Sequence, residues 1–418
     1  MTKRLILAFV FLSWHLVACS KGDSGISSGL PNKPSAEEDS PGTETISKEM
    51  RVKITGEDLY ISAKLDAKTD ILYWFKKCMF NELFTFYRVG TIDNNMPAPA
   101  TLPDASPTSL LNLAYSDNIG PFNITGYGWC GGNHPYLDEV TQTARNIGYR
   151  IYIDGKEIKT DLSTLTKEIK IEVINEIMNP SKADTSSGKT LLNEILCIET
   201  VNYSIYRNNI QVLVTHKFQN ESPVTVQMYY GMQSMFDKET HTLTANGKYV
   251  DWTVQKDVST FTKKEYPSFR RFIEKSANAY QSSYLFADGL GNHEEISDDD
   301  IIFIGNSSNK TYHKIIADRE YKKGDIIHWS GVYTWFKSPV SDDDDLLCYE
   351  GVIDNKKVLF IDCKKSVDRT IQLPVDYTKK SFTIIEKSKS ITITGNKVTA
   401  KGLRIVSDGS GSCVITFD

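Results

Sequence analysis

Glu168-Ile169-Lys170-Ile171-Glu172-Val173 sets three β-branched apolar side chains on alternate positions, with charged residues between them. A period of two is the signature of a strand with one buried and one wet face. Beyond it, a Ser/Gly/Asn-rich loop from Asn179 to Gly188 precedes three long runs. Ile195 to Tyr206 ends at the turn residues Arg207-Asn208-Asn209; Ile210, Val212, Val214, His216 and Phe218 then share one face. A second turn at Asn220-Glu221-Ser222-Pro223 leads into Val224, Val226, Met228 and Tyr230. Short connections rich in turn formers favour antiparallel neighbours, because parallel strands need long crossovers. The expectation is an all-β protein centred on an antiparallel meander.

The flanks read the same way. Residues 50–160 suggest short strands punctuated by Gly and Pro, with Pro97, Pro99, Pro103 and Pro107 marking a loop because proline removes a ladder donor. Asp154-Gly155, between Ile151–Ile153 and Ile158, signals a hairpin, as does Asn246-Gly247. One short helix is expected over about Ser268 to Tyr280. From about Val340 a second β-rich block begins, with the runs Cys348 to Ile353, Val358 to Cys363, Phe382 to Ile385, Ile391 to Ile393 and Val414 to Phe417. These suit a small sandwich. The acidic run Asp342 to Asp345 is the expected boundary, giving a large antiparallel β-supersandwich over 49–338 and a C-terminal β-sandwich over 339–418.

The chain has 418 residues, 40% hydrophobic and 24% charged, with a formal net charge of −5. That apolar share supports a core. A pI near 5.9 argues against a broad phosphate-binding surface, so nucleic acid is not an expected partner. Lys3 and Arg4 precede an apolar run from Leu5 to Val17. At about 1.5 Å per residue the run spans roughly 20 Å, short of a hydrocarbon core of ~30 Å, and so reads as a secretory signal.

The run ends in Leu16-Val17-Ala18-Cys19, which resembles a bacterial lipoprotein box. That resemblance implies removal of residues 1–18, acylation of Cys19 (palmitate being one such chain) and attachment to a membrane through the lipid. An ordinary cleaved signal with an incidental cysteine is the plainer alternative. Cys19-Ser20-Lys21-Gly22-Asp23 resembles the start of Bacteroidota surface lipoproteins, which implies a place on the outer membrane or cell surface. Without residues 1–18 there are 46 basic against 53 acidic residues, a net −7. Residues 19–48, rich in Ser, Gly, Pro and Glu, cannot bury enough surface to offset their ordering entropy and read as a flexible tether.

The long-stranded middle from Glu168 to Gln233, with Trp329-Ser330-Gly331-Val332-Tyr333, resembles the galactose-mutarotase-like supersandwich over roughly residues 50 to 337. That fold occurs in sugar epimerases and in the β-domains of polysaccharide lyases. The resemblance implies a polysaccharide ligand, bound or processed in a sheet groove. A non-enzymatic adhesion, assembly or partner-binding lipoprotein is the competing class.

Four segments carry candidate chemistry. Gly126-Tyr127-Gly128-Trp129-Cys130-Gly131-Gly132-Asn133-His134-Pro135-Tyr136 combines flexible backbone with Trp129 and Tyr136, whose flat faces suit a sugar ring. Asn133 and His134 could supply hydrogen bonds or a general base; a tight loop with a core Trp is the structural alternative. Tyr229-Tyr230-Gly231-Met232-Gln233 offers Tyr230 and Gln233 at a sheet end, although Tyr favours strands for packing alone. In His328 to Phe336, alternation puts Trp329, Tyr333 and Trp335 on one side, as core or as platform. Asp288 to Glu295 includes His293 in a polar loop, with solvation as the plainer reading. In a lyase-like site, Arg271 or Arg270 would stabilise an enolate, against the reading of a salt-bridged surface Arg.

No GxSxG elbow, HExxH, Walker A loop or GxGxxG opening a helix is present, and no acidic run has EF-hand spacing. No cofactor or metal is therefore expected. Beyond Cys19 the cysteines are Cys78, Cys130, Cys197, Cys348, Cys363 and Cys413. A hairpin turn at Asn355-Lys356 would set Cys348 opposite Cys363, where a disulfide is one reading and two buried thiols the other.

Overall fold

The computed structural model describes residues 47–101, 106–113, 118–235, 241–243, 247, 249–251, 259–261, 271–276, 279–286, 302–305 and 310–417. The acylation candidate Cys19, the tether up to residue 46, Arg270 and His293 lie outside them. Residues from Thr45 onward form one compact unit built of antiparallel sheets.

The opening alternation lies at the centre. Ile169–Met178 pairs with Ile195–Tyr206 on one side and Ala144–Ile153 on the other, with Val173 opposite both Val201 and Tyr149. Asn209–Phe218, Ile326–Phe336, Tyr280–Leu285 and Arg271–Lys275 extend this into a ten-stranded sheet among the described residues. One face of the sheet is lined by Ile171, Val173, Val201, Tyr203, Val212, Val214, Trp329 and Tyr333, all buried. Two six-stranded sheets cover that face. The first contains the four strands from Met50 to Asp93, and its Phe75 and Phe86 meet Tyr203 and Tyr333 edge-on at 5.4 and 5.3 Å. The second contains Lys310–Tyr321, Val224–Met235, Pro121–Ile124 and Gly128–Gly131. Its Tyr229 hydroxyl accepts from Trp329 Nε1 at 2.9 Å across the layers. The supersandwich expectation therefore holds, with the core between the layers.

The meander differs in its third strand. Asn209–Phe218 pairs with Ile326–Phe336, whereas Val224–Met235 belongs to the facing sheet. The turn at Asn220 is an arch between layers, not a hairpin: the buried Asn220 side chain donates to Ser222 O and to Tyr321 O of that other sheet. Alternation is identical for a hairpin and an arch, so the pattern could not separate them.

The short helix expected over Ser268 to Tyr280 is corrected as well. Arg271–Lys275 and Tyr280–Leu285 are paired strands, Ile273 facing Ser282. Phe272, Ile273, Tyr284 and Leu285 are buried on both faces of the sheet, and tertiary burial overrides local preference there. The Asp154-Gly155 hairpin forms, with both residues at positive φ. Of the Asn246-Gly247 turn, Gly247 is described, between the paired strands His241–Leu243 and Tyr249–Asp251.

From Ser341 the chain builds a five-stranded and a three-stranded sheet around a separate core of Leu359, Ile361, Ile391, Leu403, Ile405 and Ile415. Tyr349 of the five-stranded sheet stacks on Phe336 at 4.3 Å, on the face of the ten-stranded sheet turned away from the main core. The hairpin turn is Asp354-Asn355, both at positive φ, one residue earlier than the sequence suggested. That moves the register by two, so Cys348 faces Ile361 and Cys363 faces Leu346. Both thiols are free and buried, and the disulfide reading is set aside.

Candidate functional site

The hairpin Pro121–Ile124/Gly128–Gly131 lies beside Val224–Met235 in the second six-stranded sheet. Alternation turns Phe122 and Cys130 into the core and leaves their neighbours Asn123 and Trp129, directly paired, half-buried on the outer face. Tyr229 likewise points inward and Tyr230 outward. The next strand adds Tyr312 on the same side.

These positions assemble a row of rings. Trp129 lies near-parallel to Tyr136 (6.1 Å, 29°) and to Tyr230 (5.9 Å, 19°), while Tyr312 leans on Tyr230 at 4.1 Å. His134 meets Tyr136 edge-on at 5.6 Å. Trp129, Tyr136 and Tyr230 are half-buried and keep part of their surface open, whereas Tyr312 is buried at 8% exposure and backs Tyr230. Burial, followed by the charge of and a hydrogen bond with Tyr230, pushes the Tyr312 phenol well above its ordinary value. It remains a neutral hydroxyl.

The loop carrying the row is held from below. Asn81 Nδ2 donates to Gly132 O (2.7 Å), Asn81 Oδ1 accepts from Thr143 N (3.1 Å), and Asn133 O accepts from Phe80 N (3.2 Å). Gly120 is required for close approach: at φ +97°, a Cβ there would stand 1.8 Å from Tyr230 O. Beneath it, the Tyr229 hydroxyl donates to Ile119 O at 2.9 Å.

Of the residues the sequence singled out, Trp129, His134 and Tyr230 come together, and Tyr136 joins them. Asn133 is turned inward, beside a cavity of about 20 Å³ that it shares with Asn118, Asn175, Glu199 and Tyr203. Gln233 is buried past a bulge, its carbonyl accepting from Tyr333 Oη. Trp335 belongs to the core: it is fully buried and donates to Gln281 Oε1 at 2.9 Å. Arg271 is neither on the surface nor near the ring row; it is buried in an ion pair with Asp362 of the C-terminal block. Burial raises Asp362 to about 6 despite the opposing pull of Arg271.

Sequence reasoning missed two features. Tyr312 went unnoticed, although its strand continues in Ile315, Ile316 and Tyr321, which are core residues. The other is an interior polar chain. Asn146 Nδ2 donates to Asn175 Oδ1, Asn175 Nδ2 to Glu199 Oε1, and Glu199 Oε2 bonds His216 Nε2, each at 2.9 Å. The signal for His216 was its place on the inward face among Val212, Val214 and Phe218. The adjoining cavity holds about one water and no sugar. Among the described residues, no group of three or more His, Cys, Asp and Glu side chains is arranged to hold a metal ion.

No family model and no curated protein matches the chain. Solved structures show a weak likeness of fold. A family 36 α-galactosidase from Geobacillus stearothermophilus is 9% identical at a TM-score of 0.40, covering 69% of this chain and 41% of the enzyme. A family 97 glycoside hydrolase from a Pseudoalteromonas strain is 7% identical at 0.34, covering 70% and 37%. A protein assigned as an aldose 1-epimerase from Klebsiella pneumoniae is 9% identical at 0.27, covering 69% and 88%. The match thus spans well under half of the first two enzymes.

Proposed function

We propose that this chain is a lipid-anchored exported protein that binds glycans on the outer face of its second six-stranded sheet. The observation that carries the binding site is the near-parallel row Tyr136–Trp129–Tyr230, half-buried on neighbouring strands and a pinned loop and backed by the buried Tyr312. Pyranose rings present apolar C–H faces that stack on aromatic rings, while phenol hydroxyls and the His134 imidazole hydrogen-bond the sugar hydroxyls. The reading is one of binding; no turnover step is assigned.

The test is affinity electrophoresis of the folded part against neutral and uronate-containing polysaccharides. Retardation by at least one of them, lost in Trp129→Ala and weakened in Tyr230→Ala, supports the reading. Retention by none, or retention indifferent to Trp129→Ala, overturns it. The anchor rests on Leu16-Val17-Ala18-Cys19. Labelled palmitate entering the native chain but not Cys19→Ala supports it, and equal labelling or none refutes it.

A further inference from the structure

A second ring cluster stands on the outer face of the first six-stranded sheet, formed by residues outside the row just described. Tyr60, Trp74 and Arg88 are direct cross-strand neighbours on three adjacent strands, Asp58–Lys64, Thr69–Cys78 and Leu83–Asp93. Their inward-facing companions Ile61, Tyr73, Phe75 and Val89 are buried, which fixes Tyr60, Trp74 and Arg88 to the outside. All three are half-buried.

A bulge sharpens the arrangement. Trp74 pairs with Arg88 but Phe75 pairs with Phe86, so Tyr87 is the extra residue. A bulge of this kind re-aims a side chain at the surface. Tyr87 here meets Trp74 edge-on, at 5.0 Å and 88°. Tyr60 lies near-parallel to Trp74 at 5.4 Å. Asp58 locks both rings, its Oδ1 accepting from Trp74 Nε1 and its Oδ2 from Tyr60 Oη, each at 3.3 Å.

Two cations complete the cluster. Lys76 Nζ stands 4.5 Å from the Trp74 ring centre and 4.4 Å from that of Tyr87. The Arg88 guanidinium is 4.9 Å from Tyr87 and 5.9 Å from Trp74. Neither pairs with a carboxylate among the described residues, and Arg88 Nε is buried with no hydrogen-bond partner there. Lys53 faces Tyr60 in the register of the next strand. In a chain of net charge −5, this is a local positive surface laid over flat rings.

We propose that this face binds an acidic saccharide, a uronate-type unit whose ring stacks on Trp74 and Tyr60 while its carboxylate reaches Lys76 and Arg88. A pyranose carboxylate projects from the ring edge, which suits cations poised beside an aromatic face. The site uses no residue of the Trp129 row and stands apart from it.

The experiment measures binding of the folded part to polygalacturonate and to its fully methyl-esterified form, with vesicles of anionic lipid as a third arm. Trp74→Ala is expected to lose tenfold or more in affinity for polygalacturonate. Arg88→Gln and Lys76→Gln, surface changes that leave the rings in place, are expected to lose fivefold or more for the acid and less than twofold for the ester. Circular dichroism of each variant checks that it folds. Equal affinity for acid and ester, indifference to Arg88→Gln, or binding to the vesicles in place of the saccharide overturns the proposal. Trp129→Ala separates the two readings: if it abolishes polygalacturonate binding while Trp74→Ala does not, this second site fails and the first stands. The opposite pattern establishes the second site, and the first then stands or falls on whether retention of a neutral polysaccharide is lost in Trp129→Ala.

Discussion

Glu274 is a carboxyl group in a place that disfavours its charge. It is 1% exposed, on Arg271–Lys275, and points at the facing sheet, where Thr311 Oγ1 donates to its Oε1. Its Oε2 has no partner among the described residues. Burial raises its pKa from 4.5 to about 8, and the Thr311 bond only partly opposes this. A carboxyl whose pKa is higher folded than unfolded keeps its proton only in the native state, so stability falls as pH rises from 4.5 through 8. With those two values, the loss from this group between pH 6 and pH 8 is about 2 kcal/mol.

Glu274→Gln removes the ionisation and keeps the shape. Any constant cost of placing the second amide hydrogen shifts the variant's stability equally at both pH values. The measurement is urea unfolding of the wild type and the variant at pH 6, 7 and 8. The wild-type minus variant difference should change by about 2 kcal/mol across that range, with the variant gaining relative stability as pH rises. Asp362, near 6, is present in both proteins and drops out of the difference. Parallel pH profiles for the two proteins would refute the reasoning, because they would mean that Glu274 is ionised in the native fold or open to water.

Gly120→Ala forces a Cβ into Tyr230 O, 1.8 Å away, from a left-handed backbone. It should lower thermal stability by about 1–3 kcal/mol and weaken glycan retention along with Tyr230, checked by calorimetry and affinity electrophoresis. Arg271→Ala strands a buried Asp362 and should cost about 3–5 kcal/mol in urea unfolding, while the double change Arg271→Met/Asp362→Leu should recover most of it. The six described cysteines are buried, with Cys363 and Cys413 pushed up to about 12 by burial. Mass spectrometry after alkylation should find none of these six modified in the native protein and all six in denaturant without reductant. Protection of Cys348 and Cys363 in denaturant would restore the disulfide.

Strand identity was legible where alternation was strict. Ile169 to Val173, Ile195 to Tyr206 and Ile210 to Phe218 each form the expected strand, the first and third with the expected inward face, because period-two burial depends on local sequence alone. Turns with a strong backbone requirement, such as Asp154-Gly155, were legible for the same reason. The segment around Arg271 was not: charged residues at Arg271, Glu274 and Lys275 masked a strand whose partners Asp362, Thr311 and Asp342 come from distant parts of the chain.

The candidate site was half visible. Gly128-Trp129 and Tyr230 drew notice through composition, but their meeting depends on the arch at Asn220, which carries Val224–Met235 into the layer that holds Trp129. Had that strand stayed beside Asn209–Phe218, as alternation allowed, Tyr230 would lie in a different sheet. Tyr60, Trp74 and Arg88 are 14 residues apart at each step, and only strand pairing makes them neighbours.

By itself, then, the sequence determined the all-β class, the inward faces of the central strands and the tight turns, since each follows from residue spacing and φ preference within a few positions. Tertiary structure decided which layer each strand joined, whether Trp335 was platform or core, what Arg271 paired with, and where rings and cations gathered. Those outcomes depend on contacts between residues far apart in the chain, and no short-range pattern encodes them.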